Sequence, residues 1–387
     1  MIKHQLVNFL KKKRSTLLGV GPMSKNCVDV TIDLSNNYEI PIFLIASRRQ
    51  IDSEEFSGGY VNNWTTIDFA NYVYERDKKG RIILARDHGG PWQNPIEIEN
   101  NLGLQKAMES AKSSFLEDIK SGFKVLHIDP SIDIHSSPKI DEILDRIFEL
   151  YEYCWTEAEK LKKDIIFEIG TEEQSGSTNT QEELCYSLSK IKSFCESNNL
   201  PEPTFVVIQS GTRVKETKNV GSFDSPLRVA NEIPAEIQIP KMIQICKENN
   251  IFMKAHNTDY LSDNALSWHP KLGIHAANVA PEFGVTETQA LLNILEENGL
   301  YKIADELIKI SYNSGKWKKW LIKDSKISDR EKAIISGHYI FSEKSFLEIK
   351  TKASKELSIR GVNLDEFLKA KIRKSIMRYL NNFRLIK

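Results

Sequence analysis

The amino-acid sequence predicts an α/β fold, a TIM (β/α)8 barrel with a C-terminal helical extension. Eight short apolar segments recur along the chain, and each is followed by a polar loop and then by an amphipathic helical pattern. No GxGxxG or GxxxxGKS/T motif follows any of the eight, which disfavours an open nucleotide-binding sheet. From residue 316 onward only helical, strongly basic patterns remain. A chain of 387 residues is long enough for one large barrel with such an appendage.

The eight apolar segments define the predicted strands. In chain order they cover residues 16–20, 40–46, 81–87, 124–129, 164–170, 204–209, 251–256 and 271–278. Apolar residues at three- and four-residue spacing predict helices between them, for example in 141–161 and 181–195. Because strands that alternate with helices run parallel, we expect residues 1–315 to close into the barrel. Residues 316–387 should form the helical extension, packed on the barrel or on a neighbouring subunit.

The composition excludes several classes of partner. Lys plus Arg and Asp plus Glu each number 53, so no overall field favours nucleic acid or an anionic membrane. No apolar run approaches the ~20 residues of a membrane helix, and the first residues lack the apolar core of a signal peptide. We therefore expect a cytoplasmic protein with no nucleic-acid and no membrane partner. The five cysteines show no CxxC spacing and are expected to be reduced thiols.

Chemistry-bearing residues concentrate at the carboxyl ends of the predicted strands, where barrel enzymes place their reacting groups. These residues are Asp87 and His88 at strand three, His127 and Asp129 at strand four, Glu168 and Glu172 at strand five, Gln209 at strand six, His256 at strand seven, and His275 and Asn278 at strand eight. A single residue of this kind is more often an ordinary hydrogen-bonded polar group than a ligand. Their number at one end of the fold nevertheless predicts a site.

Four of these residues form the predicted metal site: His88, Glu172, Gln209 and His256. Imidazole nitrogens and side-chain oxygens together suit a divalent ion, and zinc is the ion we expect. Such an ion chelates the carbonyl and adjacent hydroxyl of a hydroxy-ketone and stabilises an enediolate, which makes carbon–carbon cleavage feasible. Asp87 is placed to move the hydroxyl proton, and Glu172 is a second candidate catalytic carboxylate. In the alternative interpretation, Asp87 only orients a metal ligand.

Residues at the strand ends and in the loops that follow supply the predicted substrate-binding groups. They are Ser47, Arg48, Arg49, Asp129, Ser210, Gly211, Asn257, Thr258, Asp259, His275 and Asn278. Loop N–H groups and arginines commonly recognise a phosphate. Arg48 and Arg49 could equally form surface ion pairs. Glu282, after strand eight, is either a specificity residue or a carboxylate favoured by a helix dipole.

Seven segments carry a family resemblance that runs over most of the chain. They are FSGGYVNNWTTIDF (56–69), ILARDHGGPWQ (83–93), VLHIDPSID (125–133), FEIGTEEQSG (167–176), VVIQSGT (206–212), KAHNTDYLS (254–262) and GHYIFS (337–342). In order and spacing they resemble the Z-subunit family of class II D-tagatose-bisphosphate aldolases (GatZ/KbaZ-like), which is related to the metal-dependent class II fructose-bisphosphate aldolases. The resemblance implies a TIM barrel, a metal near His88 and His256, and a ketose phosphate as ligand. Glu172 falls in the family's glycine-flanked acidic loop.

The resemblance also assigns roles and shows departures. Asp87 stands at the acid/base position of class II aldolases, and His88 and His256 stand at metal-binding positions. Gln209 replaces a histidine ligand, so either a carboxylate or His275 completes the coordination, or the metal is held weakly. The segment DHGGP in place of a DHLGP-like one, the two arginines after strand two and an apparent insertion at strand eight imply a different sugar.

Two functions follow from these expectations. The first is a metal-dependent ketose or ketose phosphate aldolase or epimerase, and the intact Asp87, His88 and His256 favour it. The alternative is a non-catalytic stabilising subunit of a class II tagatose-bisphosphate aldolase. Sugar-phosphate kinase activity, a name attached to the family, is disfavoured because the chain has no P-loop. The expected partners are a small sugar or sugar phosphate and either a second copy of the chain or an aldolase subunit.

Overall fold

A closed barrel of eight parallel strands forms the centre of the molecule, which confirms the predicted fold class. The computed structural model describes residues 2–170, 180–224 and 233–386. The strands are β1 Leu17–Val20, β2 Ile42–Ser47, β3 Ile82–Gly89, β4 Val125–Ile128, β5 Ile166–Ile169, β6 Phe205–Ile208, β7 Val214–Lys215, β8 Lys218–Asn219, β9 Phe252–Ala255 and β10 Ala276–Val279. The barrel follows the order β1 to β6, then β9 and β10, and closes where Leu17 pairs with Ala276. β7 and β8 form a separate antiparallel pair.

Helices connect the barrel strands and continue after the last one. They are α1 Ile2–Lys12, α2 Lys25–Tyr38, α3 Thr66–Arg76, α4 Pro95–Glu99, α5 Leu104–Ser121, α6 Ile140–Lys160, α7 Gln181–Ser197, α8 Ala235–Glu248, α9 Asp263–Leu272, α10 Pro281–Glu297, α11 Tyr301–Asn313, α12 Asp329–Ser336, α13 Lys344–Ile359 and α14 Leu364–Asn382. Short 3-10 turns lie at Glu54–Phe56, Ser222–Asp224, Lys318–Trp320 and Gly337–Ile340. In the described ranges, no helix is long and apolar enough to cross a membrane.

The eighth barrel strand differs most from its prediction. α9 continues to Leu272 and ends at Gly273, whose φ of 96° favours a residue without a Cβ atom. β10 therefore begins only at Ala276, and the predicted start at residue 271 was wrong. As a consequence, His275 precedes the strand and lies at the amino end of the barrel, opposite the carboxyl ends.

The barrel interior is packed with large side chains. The rings of Phe43 on β2 and Phe205 on β6 meet edge to face at 6.0 Å, although these strands are not neighbours, so both rings point inward. The Nζ atom of Lys254 on β9 lies 5.4 Å and 6.0 Å from the centroids of the same rings. All three side chains are buried. A buried cation needs a counter-charge, which the site described below supplies.

A bulge near the end of β3 shapes the mouth of the barrel. Between the pairs Arg86–Leu126 and Gly89–Ile128 the register shifts, because β3 contains one more residue than β4 over this stretch. His88 lies in the bulge with a left-handed φ of 48°. Bulges of this kind change the direction of a side chain at the rim of a barrel. The consecutive side chains at 87 and 88 therefore both reach the same cavity.

The C-terminal helices pack on the barrel rather than extending away from it. Ile372, Ile376 and Tyr379 of α14 are buried in the main apolar core, and α14 contacts α2 and α10. A second apolar cluster joins α10 and α11 to α12 and α13. Because α10 and α11 precede residue 316, the packing is continuous across the predicted boundary between barrel and extension.

Candidate active site

Four buried side chains converge at the carboxyl ends of β3, β4, β5 and β9. They are Asp87, His127, Glu168 and His256, and each offers a potential ligand atom within 4.8 Å of the others. His88 forms a second, overlapping set with His127 and His256 within the same limit. Parallel strands bring these residues together because their carboxyl ends meet at one mouth of the barrel. His127 on β4 and Glu168 on β5 are register partners in the sheet.

His88 is the member of the cluster that is open to the cavity. Its Nδ1 atom donates a hydrogen bond of 2.6 Å to the Oδ2 atom of Asp129, and its side chain is 36% exposed. Its ring centroid lies 5.2 Å from that of His256 and 5.3 Å from that of His127. Burial alone would lower the pKa of His88, but the carboxylates of Asp87 and Asp129 outweigh burial and raise it to about 9. The imidazole is thus protonated at neutral pH before any ion binds.

His256 is fully enclosed and uncharged. Its Nε2 atom lies 3.0 Å from the Oε1 atom of Glu168 and 3.1 Å from the Nδ2 atom of Asn278. Burial disfavours the imidazolium form and lowers the pKa of His256 below its usual value, despite the nearby carboxylates. A neutral imidazole is the form that binds metal ions.

Glu168 is held between an imidazole and a buried ammonium group. Its Oε2 atom lies 2.5 Å from the Nζ atom of Lys254, and its Oε1 atom accepts the bond from His256. Burial opposes ionisation, but the charge of Lys254 outweighs it and lowers the pKa of Glu168 to about 2. Glu168 is thus the counter-charge of the buried Lys254, and its other carboxylate oxygen contacts His256.

Asp87 has a carboxylate oxygen within 3.9 Å of each of the three imidazoles. Its Oδ1 atom lies 3.7 Å from the Nδ1 atom of His127 and 3.9 Å from the Nε2 atom of His256, and it accepts a hydrogen bond of 3.1 Å from Asn278. Burial would raise the pKa of Asp87, but the positive potential of the histidines, His88 first, holds it well below the ordinary range. Asp87 is therefore ionised.

His127 connects the cluster to the β3 bulge. Its Nδ1 atom accepts a hydrogen bond of 3.1 Å from the backbone N–H of His88 and lies 3.8 Å from the Oε1 atom of Glu168. Its Nε2 atom is buried beside Gly170, where an added Cβ atom would lie only 2.7 Å from that nitrogen. The ring therefore requires the close approach that glycine permits.

The residues of the cluster fit a divalent ion such as zinc. Three imidazole nitrogens and adjacent carboxylates are the donors that zinc prefers. Moreover, His88 bonds the carboxylate of Asp129 through Nδ1 and has Nε2 left for an ion, which is the usual arrangement of a metal-binding histidine. The chemistry of the donor set is thus that of a metal site.

Asn278 reaches the cluster because β1 gives it space. Its Nδ2 atom lies 3.1 Å from both the Oδ1 atom of Asp87 and the Nε2 atom of His256. Gly19 is its register partner on β1, and a Cβ atom there would lie 2.3 Å from the Oδ1 atom of Asn278. A side chain at position 19 would displace the amide that positions Asp87.

The cluster opens into a cavity of about 330 Å³. Asp87, His88 and Asp129 belong to its wall, together with the predicted binding residues Ser47, Arg49 and Asn257. The wall is completed by residues from beyond position 315, namely Lys319, Trp320 and Tyr339. The segment predicted as an extension therefore takes part in the candidate site.

Arg48 has a different environment from the one predicted for a substrate-binding group. Its guanidinium is buried and lies 2.9 Å from a carboxylate oxygen of Asp52 and 2.5 Å from one of Glu97. It also donates a hydrogen bond of 3.0 Å to the carbonyl of Gly90. These bonds tie the loops after β2 and β3 together, so Arg48 supports the wall from behind, whereas Arg49 faces the cavity.

His275 and Asp259 also lie away from the cavity. His275 is at the amino end of β10, where its Nδ1 atom accepts a hydrogen bond of 3.2 Å from the backbone of Met253. The Oδ1 atom of Asp259 accepts bonds from the N–H groups of Ala280 and Glu282 at 3.0 Å and 2.9 Å, and so caps α10. Glu282 lies in the first turn of α10, which agrees with the helix-dipole interpretation.

The remaining predicted residues are distributed around the loops. Thr258 is buried, and its N–H donates to the carbonyl of Asn278 at 3.1 Å. The hydroxyl of Ser210 lies 3.1 Å from that of Thr212, and Gly211 has a φ of 74°. Gln209 is buried and follows Ile208, the register partner of Ala255, so it lies beside His256. Glu172 lies outside the described residues.

The predicted set omitted two members of the cluster, His127 and Glu168. Both are polar residues at predicted strand ends, but the prediction assigned Glu172 and Gln209, rather than these two, to the metal beside His88 and His256. The missing signal was side-chain alternation: a His or Glu between apolar residues in a short barrel strand must face the interior. A second signal was Lys254, because a lysine inside a strand requires a buried carboxylate.

Comparison with known proteins supports the same fold. No protein-family profile matches the sequence. A probable tagatose 6 phosphate kinase from Sinorhizobium meliloti 1021 is 14% identical, with a TM-score of 0.75 over 95% of this chain and 100% of that chain. A fructose-bisphosphate aldolase from Campylobacter jejuni is 10% identical, with a TM-score of 0.56 over 99% of this chain and 94% of that chain. The fructuronate-tagaturonate epimerase UxaE from Cohnella laeviribosi is 11% identical, with a TM-score of 0.55 over 96% of this chain and 81% of that chain. At these identities, the expected resemblance is confirmed for the fold.

Proposed function

We propose that this chain is a metal-dependent enzyme that cleaves or epimerises a ketose or ketose phosphate by retro-aldol chemistry. The observation that carries the proposal is the convergence of His88, His127 and His256 beside the ionised carboxylate of Asp87 at one mouth of the barrel. A fructose-bisphosphate aldolase and a fructuronate-tagaturonate epimerase share the fold, which supports this class of reaction.

The three imidazoles would hold the ion. His127 would supply the third nitrogen that the sequence lacks at Gln209. His275 lies at the opposite end of the barrel and cannot do so. When bound, a zinc ion supplies Lewis-acid polarisation to the carbonyl and adjacent hydroxyl of a ketose. Binding at the Nδ1 atom of His127 requires the backbone N–H of His88 to give up its present hydrogen bond.

Two carboxylates keep the imidazoles in place. Asp129 accepts the Nδ1–H bond of His88 at 2.6 Å, and Glu168 bonds His256 at 3.0 Å. Lys254 anchors the second oxygen of Glu168, so this carboxylate cannot turn away from His256. For His88, which bonds Asp129 through Nδ1, such an outer partner fixes the ring orientation and increases the basicity of Nε2.

Asp87 is the residue that moves the proton. It lines the cavity, it is ionised, and the amide of Asn278 holds its Oδ1 atom. Asp87 takes the proton of the substrate hydroxyl that is β to the carbonyl, the bond between the α- and β-carbons breaks to give an aldehyde and an enediolate, and the same carboxylate returns the proton when this bond forms again. The remaining oxygen, Oδ2, is available to the substrate.

The aromatic wall of the cavity favours an epimerase over a simple aldolase. Trp320 and Tyr339 line the wall, and the indole nitrogen of Trp320 donates to the hydroxyl of Tyr339 at 3.2 Å. An aldehyde retained against this wall can rotate and add again to the same enediolate, which inverts one carbon centre. An aldehyde that escapes gives net cleavage, so the two outcomes differ only in retention.

The test uses the purified chain loaded with zinc. It is incubated with a panel of ketohexoses, their 6-phosphates and ketohexuronates, and proton NMR follows epimer formation while a coupled reductase detects released aldehyde. Turnover of at least one compound, lost on removal of zinc with a chelator, is the expected result. A chain that holds stoichiometric zinc, turns over nothing in the panel and raises the activity of a catalytic aldolase subunit would instead be the stabilising subunit.

A further inference from the structure

Two cations face the cavity without a counter-charge. Arg49 and Lys319 both line its wall. Among the residues that the structure describes, neither side chain forms a salt bridge, whereas Arg48 next in sequence is paired twice. The two unpaired cations come from distant parts of the chain, the loop after β2 and the turn at Lys318–Trp320. Two like charges in one wall, neither of them in an ion pair, favour a bound anion.

The surrounding structure holds Lys319 in this position. Its Nζ atom lies 4.9 Å from the ring centroid of Trp320 and 5.1 Å from that of Tyr339. Its backbone carbonyl accepts a hydrogen bond of 2.8 Å from the Nζ atom of Lys215, and Trp320 accepts one of 2.8 Å from the N–H of Glu216. The β7–β8 arm therefore fastens the turn to the mouth of the barrel.

Arg49 is held on the opposite side by a close loop contact. Its carbonyl accepts a hydrogen bond of 3.2 Å from the N–H of Tyr60. Gly59 makes this approach possible, because a Cβ atom there would lie 1.9 Å from the carbonyl oxygen of Gln50. The rings of Tyr60 and Tyr339 then meet at 4.8 Å between the two segments. Both cations are thus placed by packed backbone.

The charges act on each other across the mouth. Burial, and then the positive charges of Arg49, Lys316 and Lys215, lower the pKa of Lys319 to about 7. An adjoining groove of about 500 Å³ shares Arg49 and Lys319 with the cavity, so both groups can be reached from solvent. The cavity wall thus contains two electrostatic regions, the carboxylates with His88 and this pair of cations.

We propose that Arg49 and Lys319 form an anion subsite that binds the charged group of an acidic ketose while its carbonyl end faces Asp87 and His88. This inference rests on the proposed function for the role of the carbonyl end. The shared chemistry is an anionic oxygen group on the sugar, either a phosphate ester or a terminal carboxylate. A guanidinium and an ammonium group in the wall of one cavity bind either one by charge-assisted hydrogen bonds.

The first test measures anion binding without catalysis. Inorganic phosphate and acetate are titrated into the metal-free chain by calorimetry at low salt. We expect wild-type protein to bind one of the two, and Arg49→Gln and Lys319→Gln each to weaken that binding at least about tenfold. Lys192→Gln, an exposed lysine of α7 outside the cavity, is the matched control. Preference for phosphate or acetate identifies the ester or the carboxylate. Equal binding in all variants, or none in wild type, overturns the subsite.

The second test separates this subsite from the proposed function. If the chain turns over an acidic ketose, both variants should raise KM for it at least about tenfold with little change in kcat, and leave KM for the neutral ketose unaltered. Unchanged KM for the acidic ketose overturns the subsite but leaves the reaction standing. Phosphate binding that depends on both cations, in a chain that turns over no ketose, supports the subsite and overturns the proposed reaction.

Discussion

The imidazole of His88 and the carboxylate of Asp129 form a hydrogen bond of 2.6 Å at the mouth of the barrel. The carboxylates of Asp87 and Asp129 raise the pKa of His88 to about 9. The ring therefore has to lose a proton before it can bind an ion. Asp129 holds the ring through its Nδ1 atom and leaves the Nε2 atom for the site. Metal binding and proton release are therefore coupled here.

We expect zinc binding at pH 7 to release about one proton from His88, and the affinity for zinc to rise with pH up to about 9. Calorimetric titrations in buffers of different ionisation enthalpy measure the release. His88→Gln should abolish this release, whereas His4→Gln, an exposed histidine of α1, should not. Full release from the His88 variant would show that the proton does not come from His88.

His256→Ala should remove most of the bound zinc, because it deletes a nitrogen shared by both possible donor sets. Metal content after dialysis, measured by mass spectrometry of the element, checks this. His275→Ala, at the other end of the barrel, should keep its zinc. Stoichiometric zinc in the His256 variant would rule out the site.

Asp87→Asn should retain zinc and slow turnover by roughly 10²- to 10⁴-fold, the usual effect of losing a general acid/base. The amide keeps the shape of the carboxylate, and Asn278 still lies next to it. Steady-state rates on the substrate found in the panel, with metal content measured in parallel, give the answer. A variant with wild-type rates would assign Asp87 to orientation alone.

Asp118→Asn should lower the free energy of unfolding by about 3–5 kcal/mol, because it leaves the Arg86 guanidinium buried without a counter-charge. The present pair is fully buried at 2.5 Å. Urea unfolding followed by circular dichroism measures the change. Glu356→Gln, which breaks an exposed pair with Arg360, should cost less than about 1 kcal/mol. Similar losses in both variants would contradict the argument.

Asp259→Asn should reduce the pH dependence of stability. Burial and then the charge of Glu282 raise the pKa of Asp259 from 3.8 to about 7. The folded chain therefore holds a proton that the unfolded chain releases, so the free energy of unfolding falls as pH rises from about 4 to about 7. Thermal unfolding across this range should show a smaller fall in the variant, whereas Asp145→Asn on the exposed face of α6 should follow wild type. Parallel curves for all three proteins would refute the shift.

Much of the barrel could be predicted from local patterns. Seven of the eight strands lie within a few residues of their predicted positions, because short apolar runs between helical patterns report burial directly. The eighth was placed too early because the run through Ile274 is apolar although α9 ends only at Leu272. His88 and His256 were placed at one mouth by the same reasoning, and their rings lie 5.2 Å apart.

The partners of individual side chains could not be predicted in this way. Arg48 and Arg49 are neighbours with the same chemistry, yet one is buried between two carboxylates and the other lines the cavity. The direction of each side chain depends on how the loop after β2 packs on distant segments. In the proposed metal site, His127 takes the place predicted for Gln209 for a similar reason. Only the register of β4 and β5 brings His127 next to Glu168.

The sequence by itself determined the alternation of strands and helices, the closed parallel barrel and the end at which polar groups collect, because these depend on hydrophobic periodicity and chain direction. Only the tertiary structure decided which donors meet, which arginine is free, and that Lys319 from beyond the barrel completes the cavity. Such contacts join residues hundreds of positions apart, and their geometry depends on strand register, the β3 bulge and loop packing, none of which leaves a local trace in the sequence.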